Sequence, residues 1–184
     1  MKKLISWLAA IVLAMGLGLI VPSSASAAAP YCGITWGSGA KTRDGEATTP
    51  RYPHVTNVRA GEHRCFDRLV IDLDGKLRGY DVRYKQFRGI GSGDAIPLRG
   101  TDLVITVNAP AYDADGDATY EFSNGRELVD VSDYRTFRQV AWGGSYEART
   151  SVGLGVRARL PFRVFVLEGP NRGSRLVVDV AHRW

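Results

Sequence analysis

The sequence predicts an all-β protein, a β-sandwich or an open barrel built from about eight or nine short strands. Three observations predict it. Asp67-Arg68-Leu69-Val70-Ile71-Asp72-Leu73 returns near the other end of the chain as Ser174-Arg175-Leu176-Val177-Val178-Asp179-Val180, and both copies have the period of two that marks a half-buried strand. Further alternating segments lie between them, punctuated by Gly and Pro. No segment after the leader carries an amphipathic helical pattern.

In the first copy Leu69, Ile71 and Leu73 share one face, and Arg68, Val70 and Asp72 the other; in the second, Leu176, Val178 and Val180 oppose Arg175, Val177 and Asp179. An Arg and an Asp four apart on one strand stand about 13 Å apart, too far to pair within it. Running antiparallel and side by side, the two copies would supply each other's missing charge. Arg68, Asp72, Arg175 and Asp179 are therefore expected to form a structural set.

The chain opens with Lys2 and Lys3, an apolar run over residues 5–21 and the small-x-small sequence Ala25-Ser26-Ala27, so residues 1–27 read as a secretory signal peptide. Its removal takes the net charge from +5 to +3, since it carries only Lys2 and Lys3. The exported remainder suits one domain with room for a core, and no membrane span is expected in it. Cys32 and Cys65 are the two cysteines and are expected to join as a disulfide. The only lysines left are Lys41, Lys76 and Lys85, so the positive charge is carried by arginine. Guanidinium suits carboxylates and phosphates, whereas an exported chain with no basic cluster or helix does not suit nucleic acid.

Residues 28–53 read as a flexible arm: 31–36 is a short apolar entry, and 37–53 carries Gly, Thr, Asp and Pro in place of large hydrophobes. Residues 54–184 are read as the sandwich domain. Residues 55–63 alternate weakly and 65–73 is the first motif strand. Asp74-Gly75 signals a turn into Tyr80, Val82 and Tyr84, giving a hairpin-like pair. Residues 88–98 are Gly-rich and irregular. Leu103, Ile105 and Val107 mark a strand that Pro110 ends. Residues 111–135 lack a period and leave a choice between short strands (119–122, 127–131) and a helical turn. Val140, Trp142 and Tyr146 mark a strand over 137–148. Residues 151–160 alternate, with Val152, Leu154 and Val156 opposite Gly153, Gly155, Arg157 and Arg159. Residues 162–167 form a strand before the second motif copy.

The sequence holds no convincing catalytic set. Asp113, Asp115 and Asp117 are spaced like calcium ligands, but Ala118 and Asn124 stand where an EF-type loop needs Gly and Glu. His54, His63 and His182 are scattered, without zinc-site spacing. Gly143-Gly144-Ser145-Tyr146-Glu147 begins like a nucleophile elbow but lacks its last Gly and a following helix. Gly89-Ile90-Gly91-Ser92-Gly93 is not followed by a helix that would make it a phosphate loop. Asp72 and Asp179 each sit beside an Arg, which favours an ion pair over the acid–base work of a glycosidase pair. No cofactor or metal is expected. The pattern that remains is a sugar platform. Trp142, Tyr146, Trp36 and Trp184 can stack on a ring, Gly153 and Gly155 would leave a trough, and Arg157, Arg159 and Arg163 lie nearby in sequence. Trp142, Tyr146, Arg157, Arg159 and Arg163 are the expected ligand-binding residues.

The chain resembles the AMIN-like secreted proteins, relatives of the non-catalytic AMIN modules found beside cell-wall amidases and in secretins. Cys65-Phe66-Asp67-Arg68-Leu69-Val70-Ile71-Asp72-Leu73, Gly79-Tyr80-Asp81-Val82-Arg83-Tyr84 and Ala109-Pro110-Ala111-Tyr112-Asp113 carry the resemblance. So do Arg138-Gln139-Val140-Ala141-Trp142, the stretch 153–165 and the ending 174–184. The resemblance implies a sandwich of two symmetry-related halves and a binding or localisation role at the cell wall, with peptidoglycan as the usual ligand. It departs from those modules in having no attached amidase or secretin domain. The expected function is a secreted, non-catalytic module that contacts peptidoglycan or an associated anionic wall polymer. The alternatives are a small wall hydrolase with a spatially assembled site, and a module that binds an envelope protein on an exposed strand edge near Val55 or Leu103.

Overall fold

The computed structural model describes residues 29–45 and 52–184, so the leader, residues 1–27, and part of the arm lie outside it. The described residues form nine strands: β1 (Lys41–Arg43), β2 (Val55–Glu62), β3 (Phe66–Leu73), β4 (Tyr80–Tyr84), β5 (Thr101–Val107), β6 (Phe137–Tyr146), β7 (Arg149–Val156), β8 (Phe162–Glu168) and β9 (Ser174–Ala181). Among them there is no α-helix, only the short 3-10 turns Tyr31–Gly33 and Pro170–Arg172. No helix of the described residues is long and apolar enough to cross a membrane. The strands make two antiparallel sheets, ordered β2-β3-β9-β8 and β1-β4-β5-β7-β6, packed as a sandwich.

The motif strands β3 and β9 are neighbours at the centre of the four-stranded sheet, in a register that sets Arg68 opposite Asp179 and Asp72 opposite Arg175. Leu69, Ile71, Leu73, Leu176, Val178 and Val180 face inward, as their period requires, and meet Val82, Leu103, Ile105, Val152 and Leu154 of the other sheet in one core. Each such side chain contributes about 1.5–3 kcal/mol relative to an exposed one. Only the first expected exchange of charge forms. Arg68 forks onto Asp179 at 2.6 and 2.9 Å. Asp72 instead takes Arg59 of β2 at 2.7 and 3.1 Å, and Arg175 turns to the Glu168 carbonyl. Asp72 has two cationic neighbours, and the one on the edge strand reaches it with a fork.

Other expectations need correction. β3 and β4 do not form a hairpin: residues 74–79 carry the chain from one sheet to the other. Ser174 fixes that crossing, its hydroxyl donating to the Gly75 carbonyl at 2.6 Å and accepting the Leu77 N–H at 2.9 Å. The arm is not loop throughout. Lys41–Arg43 pairs with β4, Gly37 bridges Phe162, and Cys32 is joined to Cys65. Residues 111–135 contain no strand; Tyr120 and Val131 anchor their turns in the core. A bulge between Trp142 and Ser145, with Gly144 at φ +98°, reverses the phase of β6, so Tyr146 does not share the face of Trp142. Leu103 lies on β5, paired on both sides, whereas β2, which starts at Val55, is an edge strand as expected.

Candidate functional site

The outer face of the four-stranded sheet places three charged residues in one row. Asp179 on β9 is opposite Arg68 on β3 and Arg163 on β8. Its carboxylate is fully buried, while the arginine side chains stay 25 % and 32 % exposed. Arg163 reaches the carboxylate through Nε at 2.8 Å and Nη2 at 2.7 Å. Two guanidinium groups and one carboxylate leave a net positive charge. The Nη1 group of each arginine donates no hydrogen bond to the described residues. The pair is thus held in place by one carboxylate and retains donors for another.

Aromatic rings frame these donors. Phe66 precedes Arg68 by two residues and Phe165 follows Arg163 by two, so the period of a strand puts all four on the outer face. The Arg68 guanidinium carbon lies 5.2 Å from the Phe66 ring centre and 5.5 Å from that of Phe165. Arg163 lies 5.3, 5.0 and 5.6 Å from Phe66, Phe165 and Trp36. Trp36 comes from the arm. Its indole N–H donates to the Tyr31 carbonyl at 2.8 Å, its ring packs on Phe66 at 6.0 Å, and the Cys32–Cys65 disulfide fastens that segment beside β3. A half-buried aromatic and cationic surface of this kind can hold a carboxylate or phosphate while stacking on a sugar ring.

The expected platform residues do not converge. Of the five, Arg163 belongs to this face, and Arg159 lies close to the same arm, stacked 5.0 Å from the Tyr84 ring and donating to the Ser38 carbonyl at 3.4 Å. Arg157 donates to the His182 carbonyl. Trp142 faces the core side of the other sheet, half-buried against Tyr120 and Phe122 at 5.8 and 5.1 Å. Tyr146 is exposed and lies over Gly91. Trp184 is exposed at the chain's end. No trough opens at the glycines of β7. The Phe87 ring sits on Gly153, where a Cβ would fall 2.4 Å from it, and the Arg99 carbonyl and Gln139 cover Gly155. Phe66, Phe165 and the part played by Arg68 were missed as site residues. The signal was present as Phe-x-Arg in one strand and Arg-x-Phe in another.

A second polar cluster ties the sandwich together. Asp67, fully buried, accepts the Thr136 and Phe137 N–H groups at 2.6 and 3.1 Å and bonds His182 Nε2 at 2.8 Å. These contacts fix the entry to β6 against the end of β9. Glu62, Asp67 and His182 bring ligand atoms within 4.8 Å of one another, a geometry open to a cation, though Glu62 is paired with Arg135 at 3.1 Å. In the acidic loop Asp113 accepts the Asp115 and Asp117 N–H groups at 3.0 Å each and so caps its own turn.

A search of curated proteins finds no match to the chain. The family model described as the AMIN-like domain matches residues 53–182, which take in eight of the nine strands and most of the arginine–aromatic face. The chain belongs to the AMIN-like domain family.

Proposed function

We propose that the chain is an exported, non-catalytic binding module of the cell envelope, and that its ligand is peptidoglycan or an associated anionic wall polymer. The observation that carries this reading is the Arg68–Asp179–Arg163 row with its frame of Trp36, Phe66 and Phe165. A wall glycan offers carboxylates to the unspent guanidinium donors and sugar rings to the aromatic faces. The buried Asp179 holds the arginines before the ligand arrives, which lowers the ordering cost of binding. The leader pattern and the Cys32–Cys65 disulfide fit export to an oxidising compartment.

Co-sedimentation with purified peptidoglycan at low salt tests the reading. Retention is expected for the native chain and a loss of at least about tenfold for Arg163→Gln, a change that leaves Asp179 its fork from Arg68. No retention of the native chain would remove the wall ligand.

One observation favours a different partner class. β8 is an edge strand with Val164, Phe165 and Val166 half-buried and Leu167 40 % exposed, a surface on which an extended segment of an envelope protein could add a strand. A cross-link from residue 167 to an envelope protein, together with absent peptidoglycan retention, would favour that reading.

A further inference from the structure

We propose a second site on the opposite side of the molecule, on the outer face of the five-stranded sheet, for a tetrahedral oxyanion of the phosphate class. A cleft of about 480 Å³ opens there beside the Phe87 roof. Lys85, Arg88 and Arg149 stand around it, and no residue that lines it is acidic. All three cations are exposed. Arg88 spends part of its guanidinium on the Gly93 carbonyl at 2.8 Å and the Gln86 side chain at 2.7 Å, contacts that hold it in place. Lys85 and Arg149 make no side-chain hydrogen bond or ion pair among the described residues. The nearby Asp81 is taken by Arg83.

The floor of the cleft gives the second, independent observation. Ser151 on β7 and Thr106 on β5 are directly opposite one another and both line it. Ser151 is only 3 % exposed as a residue, and its hydroxyl, like that of the half-buried Thr106, makes no hydrogen bond to the described residues. Both hydroxyls line the cleft and are spent on no protein group, so they are free to donate to a ligand beneath its cations. A carboxylate offers two oxygens. A phosphate group offers more, so it can take both hydroxyls and still accept from the cations at the rim, and its charge is opposite in sign to theirs. The cations that line it are scattered in the sequence and share one cleft only through the pairing of β4, β5 and β7 and the irregular segment after Lys85. The ligand class is therefore a phosphate, whether free or borne by a polymer or a lipid headgroup.

Amide NMR of the full exported chain titrated with inorganic phosphate, against chloride at matched ionic strength, tests the site. Saturable shifts are expected at Ser151, Thr106 and Ile90. Lys85→Gln with Arg149→Gln should weaken binding at least about tenfold and Ser151→Ala about threefold. Arg163→Gln should leave it unchanged, which separates this proposal from the one above. Both cations are exposed, so the double variant should keep the native spectrum elsewhere. Shifts reproduced by chloride, or a double variant that binds as the native chain does, would overturn the site. Glycerol-phosphate oligomers and phosphatidylglycerol vesicles then name the source. Double-variant-sensitive binding of one of them assigns polymer or lipid, and binding of inorganic phosphate alone assigns the free ion.

Discussion

On the four-stranded sheet the outward positions of β3, β8 and β9 carry Phe66, Arg68, Arg163, Phe165 and Asp179, and the one carboxylate holds both arginines in place with a net positive charge left over. On the five-stranded sheet the outward positions of β6 and β7 carry Ala141, Gly143, Gly153 and Gly155, and Phe87 folds down to fill the space. The first face stays half open, with charge and π surface toward solvent. The second closes into a small satellite core of Phe87, Val104 and Ala141, with its cations pushed to the rim. Outward glycines therefore indicate a roof when the neighbouring segment brings a large side chain, and a trough only when nothing does. An outward Arg–Asp row holds its own groups in place and can remain exposed.

Variants can break this contrast at either face. The largest effect is expected from Asp179→Ala, which leaves two adjacent guanidinium groups without the buried carboxylate that holds them. Chemical denaturation should show a loss of about 3–5 kcal/mol. Replacing Cys32 and Cys65 by Ser frees the Trp36 segment from β3, and should cost about 2–4 kcal/mol by the same measurement, the chain-entropy value for this loop being about 3.7 kcal/mol. On the roofed face, Gly153→Ala drives a Cβ into the Phe87 ring and should cost about 1–3 kcal/mol. Phe87→Leu in the same chain should recover part of the loss.

A smaller effect is expected from pH. Burial pushes the Tyr84 phenol up to about 12, while its hydroxyl donates to the Leu160 carbonyl at 2.8 Å. The folded chain keeps this proton after the unfolded chain has released it near pH 10, so the contribution is full below about pH 10 and is lost as pH rises toward 12. Discounted for partial exposure, Tyr84's share of the fall should be about 1–2 kcal/mol, and Tyr84→Phe should remove that share from a pH series of unfolding midpoints, leaving what Tyr120 and Tyr134 add. The smallest effect belongs to Arg59→Ala. The Arg59–Asp72 pair is solvated, and its loss should cost no more than about 1 kcal/mol.

Much of the fold was legible in the sequence because its strands announce themselves by period. The pairing of β3 with β9 followed from charges that have no partner within their own strands. The failures have a common cause. Sheet membership is decided by tertiary contacts: Ser174, about a hundred residues away in sequence, fixes the crossing that a hairpin reading of Asp74-Gly75 missed. The three-residue β1 is too short to show a period, and the Gly144 bulge breaks the phase that appeared to join Trp142 with Tyr146. For the site, the relevant chemistry lay in the strands already assigned to structure. Arg68 and Asp179 were read as a structural pair, and the two side chains do meet, at 2.6 and 2.9 Å. The addition of Arg163 on the far side of Asp179 turns that pair into a cationic row, and only the strand order could reveal it.

The central claim is that ligand meets the chain beside Trp36. A chain carrying Trp142→Phe and Trp184→Phe retains Trp36 as its one tryptophan after residue 27, and so reports on this face alone. Titrated with soluble peptidoglycan fragments, its fluorescence should change saturably, and Arg163→Gln in the same chain should abolish the change. Fragments that bind the chain while leaving the Trp36 emission untouched would place recognition elsewhere and contradict the account.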